Sequence, residues 1–213
     1  MTDHFINQLV ADLRPKKSLL NWKLWMHCTA CLFMIAAVIL GFLGIRSDYA
    51  HAIQTGTMFW KPGIFFLVWF SSILLITDIS RPAGKIKKLH LVPLALGVSI
   101  IAWQFVVQIN QYALQATAET LSDKYAFICL STIFIGSIIV MSMTWKFWLS
   151  KTASSYPTLL GFLWGLSAGS LSVTAYTLHC DKDAVVYISV YYMLPIFTLS
   201  FLGSLMGKRF LRW

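Results

Sequence analysis

Six apolar runs, at about residues 24–44, 62–79, 91–110, 125–145, 157–178 and 184–205, dominate the chain. Each approaches the ~20 residues that cross ~30 Å of hydrocarbon at ~1.5 Å per residue. In hydrocarbon a chain must satisfy its own backbone hydrogen bonds, and a helix does so locally. The runs therefore predict an all-α, polytopic bundle of six transmembrane helices. Only 12% of the 213 residues are charged, against ~25% in a soluble domain. Connections of roughly 5 to 17 residues leave no room for a soluble domain. The expected organisation is an amphipathic, basic tail at 1–22 followed by a six-helix sensor domain at 23–213. The first run is too long and starts too late for a cleaved signal peptide. Ala50-His51-Ala52, which has the spacing of a cleavage site, reads as loop.

If the six spans alternate sides, thirteen basic residues fall on the N-terminal side, from Arg14, Lys16 and Lys17 through Lys87 and Lys151 to Arg212. Only Arg46, Lys61, Lys124 and Lys182 fall on the other. Basic residues mark the cytoplasmic side of a bilayer, so both termini are expected in the cytoplasm. The +9 net charge thus serves topology and attraction to anionic lipid. It gives little reason to expect direct nucleic-acid binding, since no soluble segment interleaves aromatic and basic residues. Trp22, Trp25, Trp60, Trp145, Trp148 and Trp213 fall at the expected interfaces, where an amphipathic indole is stable. In the fifth run Gly161, Gly165, Gly169 and Ser172 recur about every four residues, a small-residue face suited to close helix packing.

The chain has four cysteines. Cys28 and Cys31 form a CxxC at the cytoplasmic end of the first run, where a reducing compartment disfavours a structural disulfide. With no second CxxC, the pair reads as ordinary buried thiols. Cys129 and Cys180 instead lie near one another in depth, at the opposite end. Cys180 sits in the tight loop His179-Cys180-Asp181-Lys182-Asp183. A protonated His179 would favour the adjacent thiolate, and Asp181 and Asp183 would oppose it. Cys129, Cys180 and His179 also offer donors for a soft or borderline metal. From the residues alone, two unconnected thiols, a redox pair and a metal site all stand. Asp78 is expected to pair with Arg81 or cap the turn before Pro82. Gln104, Gln108 and Gln111 are expected to bond across helices. The lack of acidic residues deep in the bilayer argues against a proton-coupled transporter.

In the tail, Phe5, Leu9 and Leu13, with Ile6 and Val10 beside them, make an apolar stripe that Pro15 ends. A helix this short is marginal in water and needs a surface to cover the stripe. Lipid, with help from Lys16 and Lys17, and a protein groove are equally good surfaces.

The tail Leu9-Val10-Ala11-Asp12-Leu13-Arg14-Pro15, the run Gly165-Leu166-Ser167-Ala168-Gly169 leading to Leu178-His179-Cys180, Tyr191-Tyr192, and the basic close Gly207-Lys208-Arg209-Phe210-Leu211-Arg212-Trp213 together resemble the NrsF-type membrane anti-sigma factors. Asp181-Lys182 departs from the Pro-Glu that the family more often has there, and Cys28 and Cys31 match nothing in its pattern. The resemblance implies a non-enzymatic, multi-pass protein of the bacterial inner membrane. It implies that the cytoplasmic face, through Phe5, Leu9, Val10, Asp12, Leu13, Arg14 and Pro15, holds an extracytoplasmic-function sigma factor inactive. It also implies that Cys129 and Cys180, with His179 beside them, sense oxidants or heavy metals in a stress response. No cofactor is expected. The competing classes are a quinone-linked membrane thiol oxidoreductase, which needs two interacting cysteine pairs on one side, and a small membrane transporter, which needs buried charge.

Overall fold

The computed structural model describes residues 21–81, 84–111 and 125–211. The tail residues Phe5 to Pro15, together with Lys124, Arg212 and Trp213, lie outside them. Within the described residues the chain is helical, with six helices long and apolar enough to cross a membrane. They are α1 (Asn21–Phe42), α3 (Thr57–Ile79), α4 (Lys88–Gln111), α5 (Ala126–Phe147), α6 (Pro157–Tyr176) and a composite sixth. That sixth span runs from a short α7 (Val185–Tyr187) through a widened π turn (Ile188–Tyr192) into α8 (Met193–Phe210). A further short helix, α2 (Tyr49–Gln54), lies in the first connection and contains Ala50-His51-Ala52. The sequence reading of that tripeptide as loop is therefore corrected. Ala52 is fully buried, and covering it stabilises the extra turn.

Side-chain size decides the arrangement. Helix α6 is rich in Gly, Ser and Ala and sits at the centre, 83% buried, while α4 at the periphery is 6% buried. A Cβ on Gly161 would overlap the Gly203 carbonyl, and one on Gly165 would overlap the Leu199 carbonyl. The α6 and α8 backbones thus touch directly, with Gly203 and Gly207 of α8 answering the glycines of α6. Ser172 belongs to a different seam: it donates to the Ile133 carbonyl of α5 at 3.1 Å, and a Cβ on Gly136 would strike it. The outer faces carry Phe33, Phe42, Leu89, Trp103, Phe127 and Phe197 exposed. A water-soluble protein does not tolerate such a surface, and lipid covers it at no cost.

Three polar expectations change. Asp78 turns away from Arg81 to pair with His90 Nδ1 at 2.6 Å and to accept the Lys87 N–H at 3.2 Å. Its neighbour Ser71 donates to the His90 carbonyl, so the start of α4 is fastened to α3. Trp148 is buried in the core rather than set at an interface. Gln104 is exposed beside Trp60 and Ile100 in a groove against α3, with no bond across helices, and the side chains of Gln108 and Gln111 lie outside the description.

Candidate functional site

The sequence places Cys129 and Cys180 at one end of the bundle, and the fold brings them together there. Cys129 lies in the first turn of α5, fully buried. Cys180 closes the turn after α6, its N–H donating to the Tyr176 carbonyl at 3.2 Å, and is 5% exposed. Both thiols are free. Tyr176 and Tyr187 stand near Cys129. Tyr192 is fully buried near Cys180, and its hydroxyl has no hydrogen-bond partner among the described residues. Tyr192 packs edge-on against Tyr176 and Phe65, at centroid distances of 6.0 and 5.6 Å. Tyr192 closes the π turn at 188–192.

Two buried cations hold the Cys180 turn. Lys61, completely enclosed, donates to the Cys180 carbonyl at 3.0 Å, the Lys182 carbonyl at 2.7 Å and Asp183 Oδ1 at 3.1 Å. Its three N–H groups are thereby satisfied, which an ammonium out of water requires. Arg46 holds Asp48 through two bonds of 2.6 and 2.7 Å and reaches Asp183 Oδ2 at 2.7 Å. Hydrogen bonding to Arg46 pulls the Asp48 carboxyl below the ordinary carboxylate range. The same bond raises the Arg46 guanidinium against the opposing effect of its burial. Asp183 is therefore shared between α3 and the loop after α1. A backbone clasp completes the join: Arg46 N–H donates to the Leu178 carbonyl at 3.4 Å, and His179 Nδ1 donates to the Gly44 carbonyl at 3.0 Å.

The structure adds contacts to the residues read from sequence. His179 serves the clasp between loops. Asp183, expected to oppose a thiolate, is neutralised by Arg46 and Lys61. Among the described residues no three His, Cys, Asp or Glu side chains converge as a metal centre needs. Cys28 and Cys31 are buried in the other half of the bundle, where Cys31 Sγ meets Met143 Sδ at 3.5 Å. A cleft of about 430 Å³, lined by Arg46, Tyr125, Tyr176, His179, Cys180 and Lys182 among others, leads to the Cys180 thiol.

Sequence reasoning passed over Lys61, Arg46 and the three tyrosines. The one available signal was Lys61 itself. Helix α3 begins at Thr57, after Gly56 turns the chain with φ +75°. Lys61 is thus an intrahelical cation, whereas a count of apolar residues starts the span at Pro62 and leaves it in a loop. Proline is tolerated near the start of a helix, so the span reaches back further than its apolar run. The expectation that the bundle lacks buried charge is overturned by the same residue, although both buried cations are ion-paired at one end.

The comparisons with known proteins bear on this site and on the whole chain. An anti-sigma-F factor NrsF from Caulobacter vibrioides (strain NA1000 / CB15N) is 27% identical over 179 residues, covering 83% of this chain and 82% of the relative. A probable anti-sigma-F factor NrsF from Azospira oryzae is 25% identical over 197 residues, covering 89% and 85%. No solved structure matches the chain. The family model described as "Negative regulator of sigma F" matches residues 9–213, and the chain therefore belongs to the NrsF family.

Proposed function

We propose that this protein is a membrane anti-sigma factor whose tail holds an extracytoplasmic-function sigma factor at the cytoplasmic face. Reaction of Cys129 and Cys180 at the opposite face lowers that affinity and frees the sigma factor. The family membership over residues 9–213 supports the anti-sigma role, and the six apolar helices support a multi-pass inner-membrane location. One observation carries the sensing half: two free, buried thiols, one on α5 and one in the turn after α6, stand at the same end of the bundle, and Cys180 lines an open cleft there. In the oxidative route two thiols become a disulfide, and an oxidant such as a quinone takes up the two electrons and two protons. In the metal route both thiols lose their protons to a soft ion. Coupling requires the sigma factor to prefer one bundle state over the other, typically by about 1–3 kcal/mol.

An enzyme of the quinone-linked oxidoreductase class needs a second thiol pair within reach of the first. The CxxC pair lies in the other half of the bundle, beside Met143, Thr144 and Trp148.

Co-purification tests the role. The sigma factor should accompany the intact membrane protein under reducing conditions and leave it on treatment with oxidant. Absence of any sigma factor from the reduced preparation would refute the assignment. Sidedness is tested separately. A periplasm-active reporter is expected to be active after Ala52, Gln115 or Lys182 and silent after Lys87 or Lys151; activity after Lys87 would invert the topology and move the thiols to the cytoplasm.

The tail is tested by Leu9→Asp and Leu13→Asp. Placing a carboxylate in an apolar groove costs about 2 kcal/mol or more, which weakens sigma binding about thirtyfold. The regulon is expected to be expressed without stress while the membrane level of the protein stays constant. Resting expression in both variants, at equal abundance, would exclude the tail as the docking element.

A further inference from the structure

We propose that the groove between α5 and α8 seats an acyl chain of an anionic phospholipid, with Arg209 and Lys146 receiving its phosphate at the basic end of the bundle. The inference rests on the bilayer location proposed above and is independent of the sensing reading. The groove follows from the packing order. Helices α5 and α8 each pack on α6 and barely on one another. The glycine seam draws α8 onto α6, while α5 joins α6 through Ser172 and Trp164. A lateral gap of about 420 Å³ is left between them.

Trp164 and Leu199, both buried, form its floor, and Ile138, Leu202 and Met206, all exposed, form its rims. The floor indole and the wall hydroxyl are already engaged. Trp164 Nε1 donates to Thr144 Oγ1 at 2.7 Å, and Ser142 Oγ donates to the Ile138 carbonyl at 2.8 Å. The surface left to a ligand is mainly hydrocarbon and ring. From Phe134 to Trp145 the α5 wall runs eleven residues, about 16 Å of helix. One leaflet is half of the ~30 Å hydrocarbon core, so the groove has the length of a single acyl chain entering at the Trp145 end. A helix from a second copy would need a seam along the whole span, and this one stops half-way.

Lipid tails are as apolar as the groove wall, so a tail gains little there over the open bilayer. Selection must come from the headgroup. Trp145 closes the groove against Phe210, ring centroids 6.1 Å apart, and the Arg209 guanidinium lies over that same Phe210 ring at 5.9 Å. Lys146, the residue after Trp145, is exposed in the last turn of α5, as Lys208 and Arg209 are in the last turn of α8. Among the described residues none of these three cations has a carboxylate partner, and the one acid at that end, Asp78, is held by His90. Unpaired cations at the end of a groove one leaflet long suit a phosphate diester; a zwitterionic headgroup brings its own ammonium against them. The groove between α3 and α4 beside Trp60 and Gln104 lacks this feature. It lies toward the opposite end, where the nearby Lys61 is enclosed and bound to Asp183.

The test is native mass spectrometry of the full chain, extracted from the membrane fraction in detergent and titrated with phosphatidylglycerol or with phosphatidylcholine of the same acyl chains. Recovery of the protein without detergent would overturn the bilayer location and this site with it. Each Lys or Arg beside an anionic headgroup contributes about fivefold in occupancy, so one phosphatidylglycerol is expected to bind about 25-fold more tightly than phosphatidylcholine. Arg209→Gln with Lys146→Gln is expected to abolish that preference. Lys85→Gln with Lys88→Gln, an equal loss of charge where the chain enters α4, should leave it unchanged. Ser142→Trp, which lays an indole into the groove from an exposed position, is expected to remove the tightly bound lipid while both cations remain. Equal affinity for the two lipids, an equal effect of the two glutamine pairs, or undiminished binding in Ser142→Trp each overturns the proposal. So does a dimer that Ser142→Trp dissolves and phosphatidylglycerol does not displace, since the groove would then belong to a second copy of the chain. If Ser142→Trp does not accumulate, the glutamine pairs decide: loss confined to Arg209 and Lys146 supports the site, and any other pattern overturns it.

Discussion

Cells carrying Cys129→Ser together with Cys180→Ser are expected to hold the sigma factor permanently, with no induction by oxidant or soft metal. Serine is close to cysteine in size and shape, so the resting bundle and its tail should be intact. It removes only the chemistry that separates the stressed state from the resting one. With a coupling of about 1–3 kcal/mol between thiol state and sigma affinity, the lost response is about 5- to 150-fold. Cys28→Ala with Cys31→Ala should leave induction at the parental level. The measurement is regulon expression with and without stress, at matched membrane abundance of each variant. Normal induction in the double serine variant would remove the thiols from the mechanism and leave the anti-sigma assignment untouched.

Gly165→Val is expected to remove most of the folded protein from the membrane. A side chain at Gly165 has no flexible neighbour to displace: the atoms it meets are the Leu199 carbonyl and the Ser200 backbone of α8. The helices must separate along a seam that also includes Gly161, Gly203 and Gly207. Overpacking of this kind costs on the order of 3 kcal/mol or more, against a total stability of about 5–15 kcal/mol. Gly41→Ala is the matched control, because a Cβ there meets nothing within 4 Å. Membrane abundance and the melting temperature in detergent report both variants. A Gly165→Val protein as abundant and heat-resistant as Gly41→Ala would show that the close approach of α6 and α8 is dispensable.

The number of spans was legible because hydrocarbon imposes a length and a composition that few other folds satisfy. The small-residue face of α6 was legible for a related reason, since glycine at regular spacing in a span has few uses besides close packing. Its reading stopped at Ser172, which serves α5, because periodicity identifies a face without naming the neighbour. The site was legible only as two thiols at a common end. Lys61 escaped because hydropathy treats a lysine beside proline as the edge of a span, and its partners lie 119 to 122 residues further along the chain. The tyrosines near the thiols escaped because one comes from α6, one from α7 and one from a π turn that no local pattern announces. Asp78 found His90 rather than Arg81 because the next helix folds back against α3. In each case the missing information is tertiary proximity.

The glycine seam has a mechanical consequence. Helices whose backbones touch cannot rotate or separate without steric conflict, so α6 and α8 behave as a single stiff beam. Cys180 is fixed to that beam by the turn after α6, whereas Cys129 rides on α5. Helix α5 meets that beam at two levels: Ser172 donates to the Ile133 carbonyl beside Gly136, and further along Trp164 Nε1 donates to Thr144 Oγ1 at 2.7 Å. Under the proposed sensing role, a bond or shared ion that draws the two sulfurs together therefore pulls α5 against a beam that cannot yield. The load then falls on the two α5–α6 joins, of which the Trp164–Thr144 bond is the one further from the thiols.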